Sequence, residues 1–159
     1  MQTQMQHLRR FGIVALALAF AGTAFAQSSQ TNIGTWKLNL AKSTYTAGTA
    51  PKSGTFTNEV DGAGVKTTSD SVTADGTAMH STYTVIYDGK EKPITGKTTN
   101  GDVVSATRID PNTVRSVYKK DGKVTVTMTS VVSKDGKVLT LTVNTLGQTV
   151  NTVAVYDKQ

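Results

Sequence analysis

From about residue 33 onward, apolar and polar side chains alternate with a period of two. In Lys123–Val132, Val124, Val126, Met128 and Val132 share one face, while Thr125, Thr127 and Thr129 share the other. In Val138–Thr145, Leu139, Leu141 and Val143 face one way and Val138, Thr140 and Thr142 the other. In Thr77–Tyr87, Met79, Tyr83, Val85 and Tyr87 line up. Period two is the signature of a half-buried β-strand, and no window here carries the 3.6-residue stripe of an amphipathic helix. Turn signals punctuate the alternation at Asp61-Gly62, Asp75-Gly76, Asp88-Gly89, Asn100-Gly101, Asp121-Gly122 and Asp135-Gly136, with a further turn at Asp110-Pro111-Asn112. Asp-Gly and Asn-Gly favour tight hairpins, because type I′ turns need positive φ at both central residues.

The pattern predicts about ten strands, at 33–38, 53–60, 64–70, 77–87, 93–98, 102–109, 113–119, 123–133, 137–145 and 149–156. Tight turns make sequential neighbours antiparallel. The expected fold is all-β, an up-and-down meander that must close to bury its apolar face and remove its edges. A barrel of about 8–10 strands is the first solution, and a two-sheet β-sandwich is the alternative. The segment Ala41–Lys52 reads as a loop.

The N-terminus breaks the pattern. Arg9-Arg10 precede an apolar run, Phe11–Phe20, which ends in small residues and Ala24-Phe25-Ala26. A basic start, a short apolar core and an A-x-A site predict a secretory signal peptide at 1–26, cleaved after Ala26. The charge-free stretch is short for a membrane span of ~20 residues. No stable membrane insertion is expected after cleavage, and the protein is expected to be secreted or periplasmic. Removal leaves 133 of the 159 residues, a single domain at 27–159, and loss of the two arginines takes the formal charge from +6 to +4.

Composition narrows the chemistry. The segment from Gln27 holds 26 Thr and 17 Val, both β-branched strand formers. There is no cysteine, which excludes disulfides, thiolate metal sites and a Cys nucleophile. His80 is the only histidine after Ala26, so neither a metal centre nor a His-based triad is expected. The lysines are scattered, and no basic run interleaves with aromatics, so no nucleic-acid partner is expected. Calcium-loop and phosphate-loop motifs do not occur, and no cofactor is expected.

The segment Ile33-Gly34-Thr35-Trp36-Lys37-Leu38-Asn39, followed by Lys42-Ser43, carries a Gly-x-Trp on the first strand. The chain closes with Val153-Ala154-Val155-Tyr156-Asp157-Lys158, and Asp-Gly-Lys turns recur between. With the meander, these motifs resemble the calycin group, and within it small secreted bacterial lipocalin-like β-barrel proteins, a set with no established common activity. The resemblance implies that Trp36 plugs the closed end of the barrel under a basic residue from the last strands. The last strand offers only Lys158 for that role. Fatty-acid-binding relatives hold a carboxylate with Arg-x-Tyr on the last strand; the matching positions here are Ala154 and Tyr156.

Candidate ligand-binding residues follow from strand placement. Tyr83 and Tyr87 lie four apart, hence on one face, and with Tyr118 and Tyr156 either orient a polar ligand group or serve as half-buried packing. Arg108 and Arg115 flank the Asp110-Pro111 turn; a guanidinium suits bidentate capture of a carboxylate or phosphate, and the alternative is a surface role. The sequence therefore points to a non-catalytic binder of a small hydrophobic or amphipathic molecule in a barrel lumen. The alternative is a structural or protein-interaction module of the cell envelope, with no small-molecule ligand.

Overall fold

The computed structural model describes residues 30–46 and 48–159; the expected signal peptide lies outside the described residues. The strands are β1 (Gly34–Leu38), β2 (Ser53–Asp61), β3 (Gly64–Val72), β4 (Ala78–Val85), β5 (Lys92–Pro93), β6 (Thr95–Lys97), β7 (Val103–Asp110), β8 (Thr113–Lys120), β9 (Lys123–Val132), β10 (Val138–Thr145) and β11 (Thr152–Lys158). A 3-10 turn, Leu40–Lys42, sits in the β1–β2 connection. All eleven strands form one antiparallel sheet in the order β5-β7-β8-β9-β10-β11-β1-β2-β3-β4-β6. The two ends of that order, β5 and β6, are separated in the chain by Ile94 alone, so the sheet curls into a nearly closed barrel. The single continuous sheet replaces the sandwich alternative. No helix among the described residues is long and apolar enough to cross a membrane.

The alternating positions do what their period implies. Val114, Ser116 and Tyr118 of β8, Val126, Met128 and Val132 of β9, Leu139 and Leu141 of β10, and Ala154 and Tyr156 of β11 are all buried. Trp36, Val65 and Val104 have no exposed surface. Burying such apolar area is the main stabilising term, because the chain has no disulfide to add to it.

Val124 departs from the expected face and is 37% exposed. Between β8 and β9 the register passes from Tyr118↔Val126 to Lys119↔Val124, leaving Thr125 as an extra residue. That bulge flips the parity beyond it. The Thr125 hydroxyl donates to the carbonyls of Asn100 and Tyr118, which anchors the irregularity.

The turns are more varied than the type I′ expectation. Among the described residues only Asp121 (φ 50) and Gly122 (φ 74) take positive φ at two successive positions. Thr73–Thr77 and Ser133–Lys137 use a wider loop in which the Ser/Thr hydroxyl donates to the Asp two residues on. The backbone amide of residue 77 or 137 then donates back to both side chains. The bond from Thr73, then that from the Thr77 amide, hold the Asp75 carboxyl down at about 2, and Ser133 followed by Lys137 lowers Asp135 in the same way.

A folded-state carboxyl below its unfolded value of about 3.9 means that the unfolded chain binds more protons in between. The turns' contribution is therefore present above about pH 4 and is lost as pH falls toward 2. Melting temperature followed from pH 5 to 2 should fall less steeply for the Asp75→Asn/Asp135→Asn double variant than for the native chain. Equal slopes would remove the role assigned to these carboxylates.

Candidate functional site

The barrel has a closed end and an open end. At the closed end Trp36 is fully buried. Its Nε1–H donates to the Asn32 carbonyl at 2.9 Å, and Lys158 Nζ stands 5.1 Å from the indole centroid. Lys158 is the direct cross-strand partner of Trp36, so pairing of the two terminal strands delivers the cation to the ring. This is the one basic residue that the last strand could offer.

Gln30–Asn32 crosses the same end. Thr31 Oγ1 donates to the Pro111 carbonyl at 2.8 Å, and Asn58 Nδ2 donates to the Asn32 carbonyl at 2.9 Å. Asn32 Nδ2 donates to the Tyr87 hydroxyl at 2.8 Å. Tyr87 has left the strand, with φ 59, and its ring carries the Arg108 guanidinium at 4.4 Å. Arg108 Nη1 donates to the Pro111 carbonyl at 3.0 Å. Arg108 is thus part of the closed-end cap and does not line the lumen. Arg115 points to the outer wall and is exposed.

Above this plug lies a small chamber of about 50 Å³, walled by Asn58, Thr67, Tyr83, Ser116 and Ser130, and by the apolar side chains of Val85, Leu139 and Leu141. Thr67 Oγ1 donates to Asn58 Oδ1 at 2.8 Å inside it. At its edge the Tyr83 and Tyr118 hydroxyls meet at 3.2 Å, with the rings edge to face at 6.4 Å. Tyr83 also borders a groove on the outer wall beside Lys92–Thr95, so the residue as a whole is half-buried while its hydroxyl points to the buried Tyr118. Burial pushes the Tyr83 phenol up, and pushes that of Tyr118 well up with a further contribution from Tyr83. Both phenols are neutral at physiological pH.

Phe56 and Met128 line this chamber and also a much larger cavity of about 430 Å³ at the open end. The floor of that cavity is apolar, made by Phe56, Val126, Met128, Val143, Ala154 and the Tyr156 ring, which packs on Phe56 at 5.0 Å. Its rim is polar, made by Thr49, Ser53, Thr98, Thr99, Gln148 and Thr152 among others. Burial, with Tyr45 nearby, raises the Tyr156 phenol, which is therefore neutral as well. Asp70 and Lys97 are the charged residues at the boundary.

Of the tyrosines and arginines expected at a ligand, Tyr83 and Tyr87 line the inner chamber, and Tyr156 the open cavity. Tyr118 meets Tyr83 through its hydroxyl, and the two arginines stand apart. Asn58, Thr67, Ser116, Phe56 and Met128 also belong to the lumen, although the sequence does not mark them as candidates. Their inward parity is readable, but residue type alone does not set them apart from other strand residues.

His80 is not isolated. Its Nδ1 lies 2.6 Å from Asp70 Oδ1 across the β3–β4 pair, with both side chains on the exposed outer wall. The Thr73–Thr77 turn sets that register, and it is the sequence signal that could have paired the two residues. Among the described residues no group of three or more His, Cys, Asp or Glu side chains could hold a metal ion. No protein-family model matches the chain, and no curated protein or solved structure is significantly similar to it.

Proposed function

We propose that this protein is an exported, lipocalin-like binding protein that holds a small amphipathic molecule in the open cavity, without catalysis. The observation that carries the reading is the cavity of about 430 Å³ inside the barrel, with an apolar floor and a hydroxyl-rich rim. That volume falls within the range of small-molecule sites, and few convergent polar groups over an apolar surface is their usual composition. The phenols that reach the lumen are held neutral, the His80–Asp70 pair sits on the outer wall, and the charged groups Asp70 and Lys97 lie only at the cavity's boundary. Leu146 and Val150, 75% and 55% exposed in the β10–β11 loop, present apolar surface beside the mouth to an entering chain. The resemblance of the Gly-x-Trp strand and the Val-Tyr-x-Lys ending to secreted lipocalin-like proteins supports the same reading.

Titration with 1-anilinonaphthalene-8-sulfonate tests it. Saturable binding at one site is expected. Thr152→Trp puts an indole into the mouth and should weaken that binding by on the order of tenfold or more, equivalent to at least about 1.4 kcal/mol. Arg115→Ala, on the outer wall, should leave it unchanged. A folded native barrel that shows no saturable binding overturns the proposal.

A further inference from the structure

We infer that the amphiphile carries a small, uncharged hydroxyl head and binds head-down, with the head in the chamber beneath Phe56 and Met128 and the chain in the open cavity. This rests on the binding reading above and names the ligand class for the same site.

The chamber is built for a neutral donor and acceptor. Asn58, Thr67, Ser116 and Ser130 bring amide and hydroxyl groups to it, and no residue that lines it bears a charge at neutral pH. Asn32 Nδ2 donates to the Tyr87 hydroxyl, while its Oδ1 is buried without a partner. If the amide is turned, the nitrogen is orphaned instead, so one end of this side chain lacks a partner in either placement. An unpaired buried amide group is costly. The Tyr83–Tyr118 pair shares one hydrogen bond between two hydroxyls, which leaves one O–H free to donate. A hydroxyl head both donates and accepts, and so answers either need.

Charged heads do not fit. A carboxylate in the chamber would be desolvated with no cation on the lining, and an ammonium would face no anion. Arg108 and Lys158 stand against the Tyr87 and Trp36 rings and are not among the residues that line the chamber. A volume of about 50 Å³ has room for a few waters at roughly 10–15 Å³ each, or for a hydroxymethyl group in their place. Met128 can move aside, because an unbranched thioether with three rotatable bonds adapts readily.

The test is displacement of 1-anilinonaphthalene-8-sulfonate at pH 7 by 1-dodecanol, dodecanoate and dodecylamine. Dodecanol is expected to displace the dye at a concentration at least tenfold lower than either charged analogue. In Ser116→Val, which fills the chamber with an apolar group, the ratio between alcohol and carboxylate should fall toward one. Ser130→Val, at a less buried position, should do the same and guards against a folding defect in the first variant. Equal displacement by alcohol and carboxylate in the native protein overturns the head-down assignment while leaving the binding reading intact. So does a preference that survives in both folded variants. A native barrel that takes up no dye and no alcohol overturns both.

Discussion

Trp36→Ala should destabilise the barrel by about 3–5 kcal/mol, the range for truncating a fully buried aromatic. The indole has no exposed surface and sits in the hydrophobic core. Three layers depend on it. Its Nε1–H holds the Asn32 carbonyl, so the segment that covers the closed end loses one of two anchors there. Lys158 loses the ring on which its ammonium rests, and with it the contact that links the side chains of the first and last strands. The neighbouring core side chains lose packing partners on one side, which a rigid sheet cannot restore by collapse.

Total stabilities of 5–15 kcal/mol make this a large fraction. Urea unfolding followed by far-UV circular dichroism should show the loss as a lower midpoint with an unchanged slope. Trp36→Phe keeps most of the volume and loses the hydrogen bond, so a smaller loss, about 1–2 kcal/mol, is expected. A Trp36→Ala variant within 1 kcal/mol of native would show that the indole is not the plug.

Much of this arrangement is legible in the residue pattern itself. Alternation in Val138–Thr145 assigns Leu139, Leu141 and Val143 to one face, and the barrel interior uses that face. The recurring Asp-Gly steps place the reversals, and sequential antiparallel pairing follows from their tightness. What alternation alone does not supply is local irregularity. One bulged residue, Thr125, sends Val124 outward, and nothing in the composition of that strand announces it. The direction of Arg115 is ambiguous in sequence because neither Thr113, Arg115 and Val117 nor Val114, Ser116 and Tyr118 make a clearly apolar face; burial of the second set decides it.

The site is less legible than the fold. Tyr83, Tyr87 and Tyr156 stand out as large side chains with polar tips, and each reaches the lumen. The partition made by Phe56 and Met128 depends on how far around the barrel β2 and β9 lie from each other. That is a property of closure and not of either strand. The same holds for Asp70 and His80, which become neighbours only once the β3–β4 register is known.

One of the contacts that close the barrel depends on a glycine. The sequence pattern predicts a single strand at 93–98, but the chain breaks at Ile94 into β5, which pairs with β7, and β6, which pairs with β4. Those short pairings, together with the Asp88↔Thr107 bridge and the Gly89 N–H donated to the Ala106 carbonyl, join the two ends of the sheet. Gly96 lies opposite Ser81 with φ +98, and a Cβ there would overlap the His80 carbonyl oxygen. Gly96→Val adds a β-branched side chain where the backbone conformation belongs almost solely to glycine, at a cost of about 1–3 kcal/mol in strain alone.

The overlap cannot be relieved by a rotamer change, because the atom struck is backbone. Strand β6 must therefore lift from β4, and with only three residue pairs between them the whole pairing is lost. The unpaired β4 edge and the widened wall should raise the total loss to roughly 3 kcal/mol or more, within the range of severe single substitutions. Hydrogen exchange should quicken across Thr95–Lys97 and along β4, while the β8–β9–β10 side of the barrel keeps its protection. The lumen should also lose its defined volume, so saturable dye binding should weaken together with the exchange change. If Gly96→Val keeps native exchange in β4 and native stability, the strap is dispensable and the barrel closes by some other contact.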